Sequence, residues 1–179
     1  MTFQRVRAMI IVAVLFITAG VVVLTAIVRD RQTQPKAEEC PAGSIRMNVT
    51  LPASFSDVTL NVYNGTSRRG LADQISGEFA NRGFQIGKVE VAPNGEQYDK
   101  IAKITFGREG FANAWLLKAF FLTDAAEMVF DEEREGADID VILGSEFQQL
   151  ATSTEVNQGI AANGEPSLRH YPGTCPAKP

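Results

Sequence analysis

The chain has 179 residues, 45% of them hydrophobic, with 17 basic against 21 acidic side chains and a net charge of −4. Setting aside Arg5, Arg7, Arg29, Asp30 and Arg31, which flank the first apolar run, leaves thirteen basic and twenty acidic residues, a charge near −7. That excess excludes nucleic acid, which needs a basic footprint, and confines any binding of an anionic polymer to a local patch such as Arg68, Arg69 and Arg82.

Ala8 to Val28 runs for about twenty residues without a charge, enough to span roughly 30 Å of hydrocarbon. It exceeds a signal-peptide core, no small-x-small cleavage site follows it, and no lipobox precedes Cys40. An uncleaved single-pass transmembrane anchor over 8–28 is expected. Arg5 and Arg7 outweigh Arg29 and Arg31 offset by Asp30, which places residues 1–7 in the cytoplasm and the remainder outside the cell membrane. Residues 29–44 read as a proline-punctuated linker.

Ile45, Met47, Val49 and Leu51 alternate as an edge strand ended by Pro52. From Asp57 to Ala92 the signals form a β-α-β unit. Val58, Leu60 and Val62 give a period-two strand; Leu71, Ala72, Ile75 and Phe79 give one apolar helical face. Gly83 is placed to stop that helix, and Gly87, where the alternation changes phase, marks a bulge in the next strand. Between strand and helix lies Asn64-Gly65-Thr66-Ser67-Arg68-Arg69-Gly70. Thr66 or Ser67 can cap the helix, and backbone amides at its start, with Arg68 and Arg69, can receive an anion; turn chemistry alone also accounts for these residues.

After a turn at Pro93-Asn94-Gly95, Ala102, Ile104 and Phe106 form a strand leading into a helix over 111–122. That helix is apolar on nearly every side. Either it is sealed in the core, or part of the surface of Trp115, Phe120 and Phe121 meets a lipid, an acyl chain or a protein. Met128 and Phe130, then Ile139, Val141 and Leu143, read as closing strands joined by an acidic, solvated turn over 131–138 that lacks EF-hand spacing. Thr152-x-x-Glu155 is a capping box for a last helix ending near Asn163-Gly164, and the tail from Glu165 is irregular. Cys40 and Cys175 pair most simply as a disulfide in an oxidising exterior, closing a loop whose chain entropy contributes roughly 4 to 5 kcal/mol; two free thiols are the alternative.

No metal, cofactor or enzymatic activity is expected. The only histidine, His170, lies in the tail, and there is no zinc-ligand cluster, no CxxC and no framed carboxylate pair.

The run from Val58 to Val89, with its Asn-Gly-Thr, Gly-Leu-Ala helix start and Gly-Phe turn, resembles the signature of the LytR C-terminal domain family. Two later runs, ITFGREGFANAWLLKAF and ADIDVILGSEFQQL, resemble its second strand-helix unit and its closing strand. The likeness covers about ninety residues, and its type is that of single-pass actinobacterial cell-envelope integrity proteins lacking the LytR-CpsA-Psr catalytic domain. The expected architecture is thus an α/β, sandwich-like βαβ-βαββ domain with a mixed sheet over 45–150, followed by a helix and tail over 151–179 tied by the disulfide. The resemblance implies a non-catalytic binding or scaffold module for envelope integrity, in contact with LytR-CpsA-Psr enzymes or cell-wall polymer. A lipid or acyl-chain carrier using helix 111–122 is the alternative. Asn64, Gly65, Thr66, Arg68, Arg69 and Gly70 carry the first reading; Trp115, Phe120 and Phe121 carry the second.

Overall fold

The structure, a computed structural model, describes residues 12–23, 25, 40–122 and 125–177. Two units divide the chain, Met1–Glu39 and Cys40–Pro179. In the first, residues 12–23 and 25 are helical and exposed, and no helix among the described residues is long and apolar enough to cross a membrane. The rest of the expected anchor, residues 8–11, 24 and 26–28, lies outside the described residues, as do residues 1–7 and linker residues 29–39.

In the second unit the order is β1 (Ile45–Met47), β2 (Thr59–Asn64), α1 (Leu71–Asn81), β3 (Gln85–Val91), β4 (Ala102–Phe106), α2 (Phe111–Leu117), β5 (Ala126–Phe130), β6 (Ile139–Leu143), α3 (Ser153–Asn163) and β7 (Thr174–Pro176). Five strands form one mixed sheet in the order β3-β2-β6-β4-β5. Strands β3, β2 and β6 run parallel, β6 meets β4 antiparallel, and β4 and β5 are parallel. The two closing strands of the sequence are therefore not neighbours, because β4 lies between them.

The three inner strands, β2, β6 and β4, carry the buried face. Leu60, Val62, Ile104, Phe106, Ile139, Val141 and Leu143 all enter the main core, where Leu71, Ala72, Ile75 and Phe79 of α1 join them. Burying each large apolar side chain is worth roughly 1.5–3 kcal/mol at most, so this shared face dominates the fold. On the other face Tyr63 and Ile142 form a smaller cluster with Ala92 and Tyr98. The expected bulge is present: Leu60 pairs with Ile86 but Val62 with Val89, so β3 spends one extra residue. Asn61 fills the gap, its Oδ1 accepting from the Lys88 amide at 2.9 Å, and a Cβ on Gly87 would sit 2.3 Å from that oxygen.

Helix ends follow the sequence with one correction. Gly83, at φ +99°, closes α1, and Thr152 with Glu155 forms the capping box that opens α3. The backbone amide and then the hydroxyl of Thr152 hold the Glu155 carboxyl below its usual pKa. The start of α1 is not capped by Thr66 or Ser67. Gly70, left-handed at φ 74°, occupies that position and makes no side-chain cap.

Two expected elements are shorter. The strand 45–51 stops at Met47, because the Asn48 amide turns to the carbonyl of Arg108 and its carbonyl receives the amide of Ala112. The helix 111–122 is α-helical only to Leu117 and then tightens into a 3-10 turn, Lys118–Phe120. Its all-round apolarity has a simple cause. The sheet covers one side, while the 48–51 segment and the C-terminal tail pack near the other, with Tyr171 edge-on to Phe111 at 5.4 Å and the Trp115 indole donating to the Gly164 carbonyl at 3.2 Å. The tail is thus anchored by more than Cys175, which does pair with Cys40 at a Cα separation of 5.8 Å.

Candidate functional site

The loop from Asn64 to Gly70 is a closed hydrogen-bonded knot at the end of β2. The Asn64 Oδ1 accepts from the Thr66 amide (3.0 Å) and hydroxyl (2.8 Å), while its Nδ2 donates to the Arg68 carbonyl. The Thr66 hydroxyl in turn accepts from the Arg68 amide at 3.0 Å. Gly65 sits where a side chain has no room: its amide donates to the Leu143 carbonyl, its carbonyl accepts from the Tyr98 amide, and an added Cβ would lie 2.8 Å from Ile142 Cγ2. Asn64, Gly65 and Thr66 are consumed by the loop itself.

The three arginines proposed as a basic patch have separate duties. Arg68 extends a guanidinium N–H to the Phe147 carbonyl at 2.6 Å, tying the loop to the segment after β6. Arg82 donates to the Ala151 carbonyl at 2.6 Å and lies over the Phe120 ring at 5.6 Å. Arg69 is exposed and borders an open depression of about 400 Å³ whose walls include Asn64, Ser67, Asp73, Glu90 and Val91. Two carboxylates on those walls limit how much anionic charge the depression accepts.

The aromatic set divides in the same way. Phe120 and Phe121 are 1% and 2% exposed. Phe120 packs edge-on to Phe55 and Phe84 and tilted to Phe79 at centroid distances of 5.0–6.0 Å, and Phe121 lies edge-on to Phe147. Trp115 is half-buried. None of the three offers a broad apolar face to a ligand in this conformation. Beside them, however, a groove of about 600 Å³ opens between the 3-10 turn and α3, with Ala119, Leu122, Ala162 and a strip of Phe121 on its walls and Lys118, Glu155 and Gln158 at its polar positions.

A third cluster was not visible in the sequence. Arg134, from the acidic run expected to be a solvated turn, bonds both oxygens of Asp140 at 2.6 and 2.7 Å and Asp138 Oδ2 at 2.6 Å. The Nδ2 of Asn61 donates to the same two carboxylates. Hydrogen bonding to Asp140, ahead of the opposing cost of burial, raises the guanidinium pKa. The one available signal was Asp138-x-Asp140, whose period of two puts both carboxylates on the face opposite Ile139 and Val141. Among the described residues no group of three His, Cys, Asp or Glu side chains is arranged to hold a metal ion.

The family model described as LytR cell envelope-related transcriptional attenuator matches residues 57–147. The chain belongs to this family. The LytR C-terminal span begins just before β2 and ends at Phe147, so it holds the whole five-stranded sheet, α1, α2 and the Asn64–Gly70 loop, while β1, α3, β7 and the disulfide lie outside it. The chain is similar to the cell envelope integrity protein Cei of Mycobacterium tuberculosis, 27% identical over 172 residues covering 86% of this chain and 78% of the relative. In fold it is similar to the soluble domain of a conserved hypothetical secreted protein from Mycobacterium marinum. That match has a TM-score of 0.53 and 22% identity, covering 71% of this chain and 92% of the other.

Proposed function

We propose that the chain is a non-catalytic envelope module, tethered to the cell membrane by residues 8–28 with its N-terminus in the cytoplasm. Its LytR C-terminal domain lies outside the membrane, where it contacts wall polymer or polymer-transferring enzymes of the LytR-CpsA-Psr type. Family membership, the likeness to an envelope integrity protein and a disulfide suited to an oxidising compartment support the placement. The observation that carries the contact surface is the self-satisfied loop. Asn64, Thr66 and Arg68 spend their polar groups on one another and on Phe147, which holds the exposed Arg69 at the rim of the 400 Å³ depression.

This division of labour sets the test. Neutralising Arg68 would also cut the tie to Phe147, so Arg69→Gln is the clean variant. Binding of the full-length chain to purified wall polymer from its own source should weaken about three- to tenfold, the effect of losing one solvent-exposed hydrogen bond or ion pair, with the thermal midpoint unchanged. Equal affinity of the two proteins would remove the loop from the contact surface.

A lipid or acyl-chain carrier is the second reading, favoured by the volume of the groove beside Leu122 and Phe121. A co-purifying acyl lipid that disappears on Leu122→Asp substitution would support it over the polymer reading.

A further inference from the structure

Strand β3 is one edge of the sheet, and the direction of its backbone can be assigned residue by residue. In a parallel pair, alternate residues turn their amide and carbonyl toward the neighbour. The amides of Lys88 and Ala92 face β2, donating to Asn61 Oδ1 and to the Asn64 carbonyl, both at 2.9 Å. Val89 and Val91 therefore turn their backbone groups outward. Val91 also leaves its side chain 72% exposed, the largest value of any large hydrophobic residue among the described residues of the second unit.

We propose that β3 pairs antiparallel with β3 of a second copy of this chain, about a two-fold axis passing through Val89. That register sets Val89 opposite Val89 as a hydrogen-bonded pair, Lys88 opposite Glu90 and Glu90 opposite Lys88. Opposite charges facing each other across strands stabilise an antiparallel pair, and like charges oppose it. Val91 then comes over the Gly87–Lys88 bulge, where Gly87 brings no side chain to compete for space. Neighbouring registers fail on the same terms. An axis through Glu90 places Glu90 against Glu90, and a one-residue slip sends the side chains of one strand to the wrong face. The Gly87–Lys88 bulge and the two charges protect the edge from indiscriminate pairing, and the axis through Val89 is the one register that sets Lys88 against Glu90. A closed two-fold contact of this kind uses the same patch on both copies, so it ends at a dimer.

Hydrogen-bonded antiparallel partners lie about 5.5 Å apart at Cα, within reach of a disulfide. The test is oxidative cross-linking of full-length Val89→Cys in whole cells. Thr154→Cys, exposed on α3, serves as the control, and products are identified by mass. Pairing predicts a homodimer at position 89 and none above background at 154. Adding Lys88→Glu or Glu90→Lys, both at exposed positions, lowers the dimer about fivefold, and the two reversals together restore it. A dimer no more abundant at 89 than at 154, a product containing a different protein, or a yield indifferent to the charge reversals would each overturn the proposal.

Discussion

At Gly65 a single hydrogen atom decides whether the loop can close. An alanine there would press its Cβ to 2.8 Å from Ile142 Cγ2 and 3.0 Å from the Leu143 carbonyl, a backbone atom already committed to the Gly65 amide. Neither neighbour can retreat, since Ile142 is β-branched and packed against Tyr63, and Leu143 is held in β6. Gly65→Ala should therefore destabilise the protein by about 1–3 kcal/mol, read as a lower urea midpoint. Gly77→Ala provides the contrast. Nothing lies within 4 Å of its added Cβ, and in mid-helix it should stabilise by up to about 1 kcal/mol. A Gly65 variant as stable as the wild type would show that the approach is looser than the packing implies. The Asn-Gly-Thr signature was legible in the sequence as a turn. That its glycine answers to Ile142 and Tyr98 was not, because those contacts arrive from strands and loops far along the chain.

Local elements were the legible part. Period-two and helical spacing, the Thr152-Glu155 box, the left-handed Gly83 and the Gly87 phase change all rest on residues within a few positions of each other, and each appears where the pattern put it except at the ends of the 45–51 strand and the 111–122 helix, which stop early. The mixed sheet and the parallel β-α-β pairing were legible too, but the strand order was hidden, the insertion of β4 between β5 and β6 above all. The loop from β5 to β6 shows the cost of that blindness. It looked like a solvated acidic turn, yet Arg134 is only 16% exposed and neutralises Asp138 and Asp140 while Asn61, 77 and 79 positions before those two aspartates, bonds both carboxylates. Arg134→Ala would leave two like charges sharing one amide donor. We expect a loss of about 2–3 kcal/mol, discounted from a fully buried pair because Asp138 is partly solvated. The loss should persist at about 0.5 M salt, where an exposed ion pair would be screened. A loss that vanishes in salt would return the cluster to an ordinary surface role.

Across the whole second unit, the Cys40–Cys175 bond joins the point where the chain enters the domain to its last strand. Without it, β1 and β7 are a two-stranded sheet of three residues each, too small to stand alone, and they hold a tail whose Tyr171 covers Phe106 and Phe111. The bridge spans 135 positions, so the chain-entropy model assigns it about 5 kcal/mol, a large share of the roughly 5–15 kcal/mol by which a domain exceeds its unfolded state. Cys175→Ser should act in two stages. First the tail should loosen, freeing the Gly164 carbonyl from Trp115. Since that is the sole tryptophan, its emission should shift to the red at urea concentrations where far-ultraviolet circular dichroism is still unchanged. The sheet should then unfold at a midpoint lowered by up to the full entropic contribution. Coincident loss of both signals would mean that the tail and the sheet form one cooperative unit. An unshifted midpoint would mean that the aromatic contacts of Tyr171 and Trp115 hold the tail without help from the bridge.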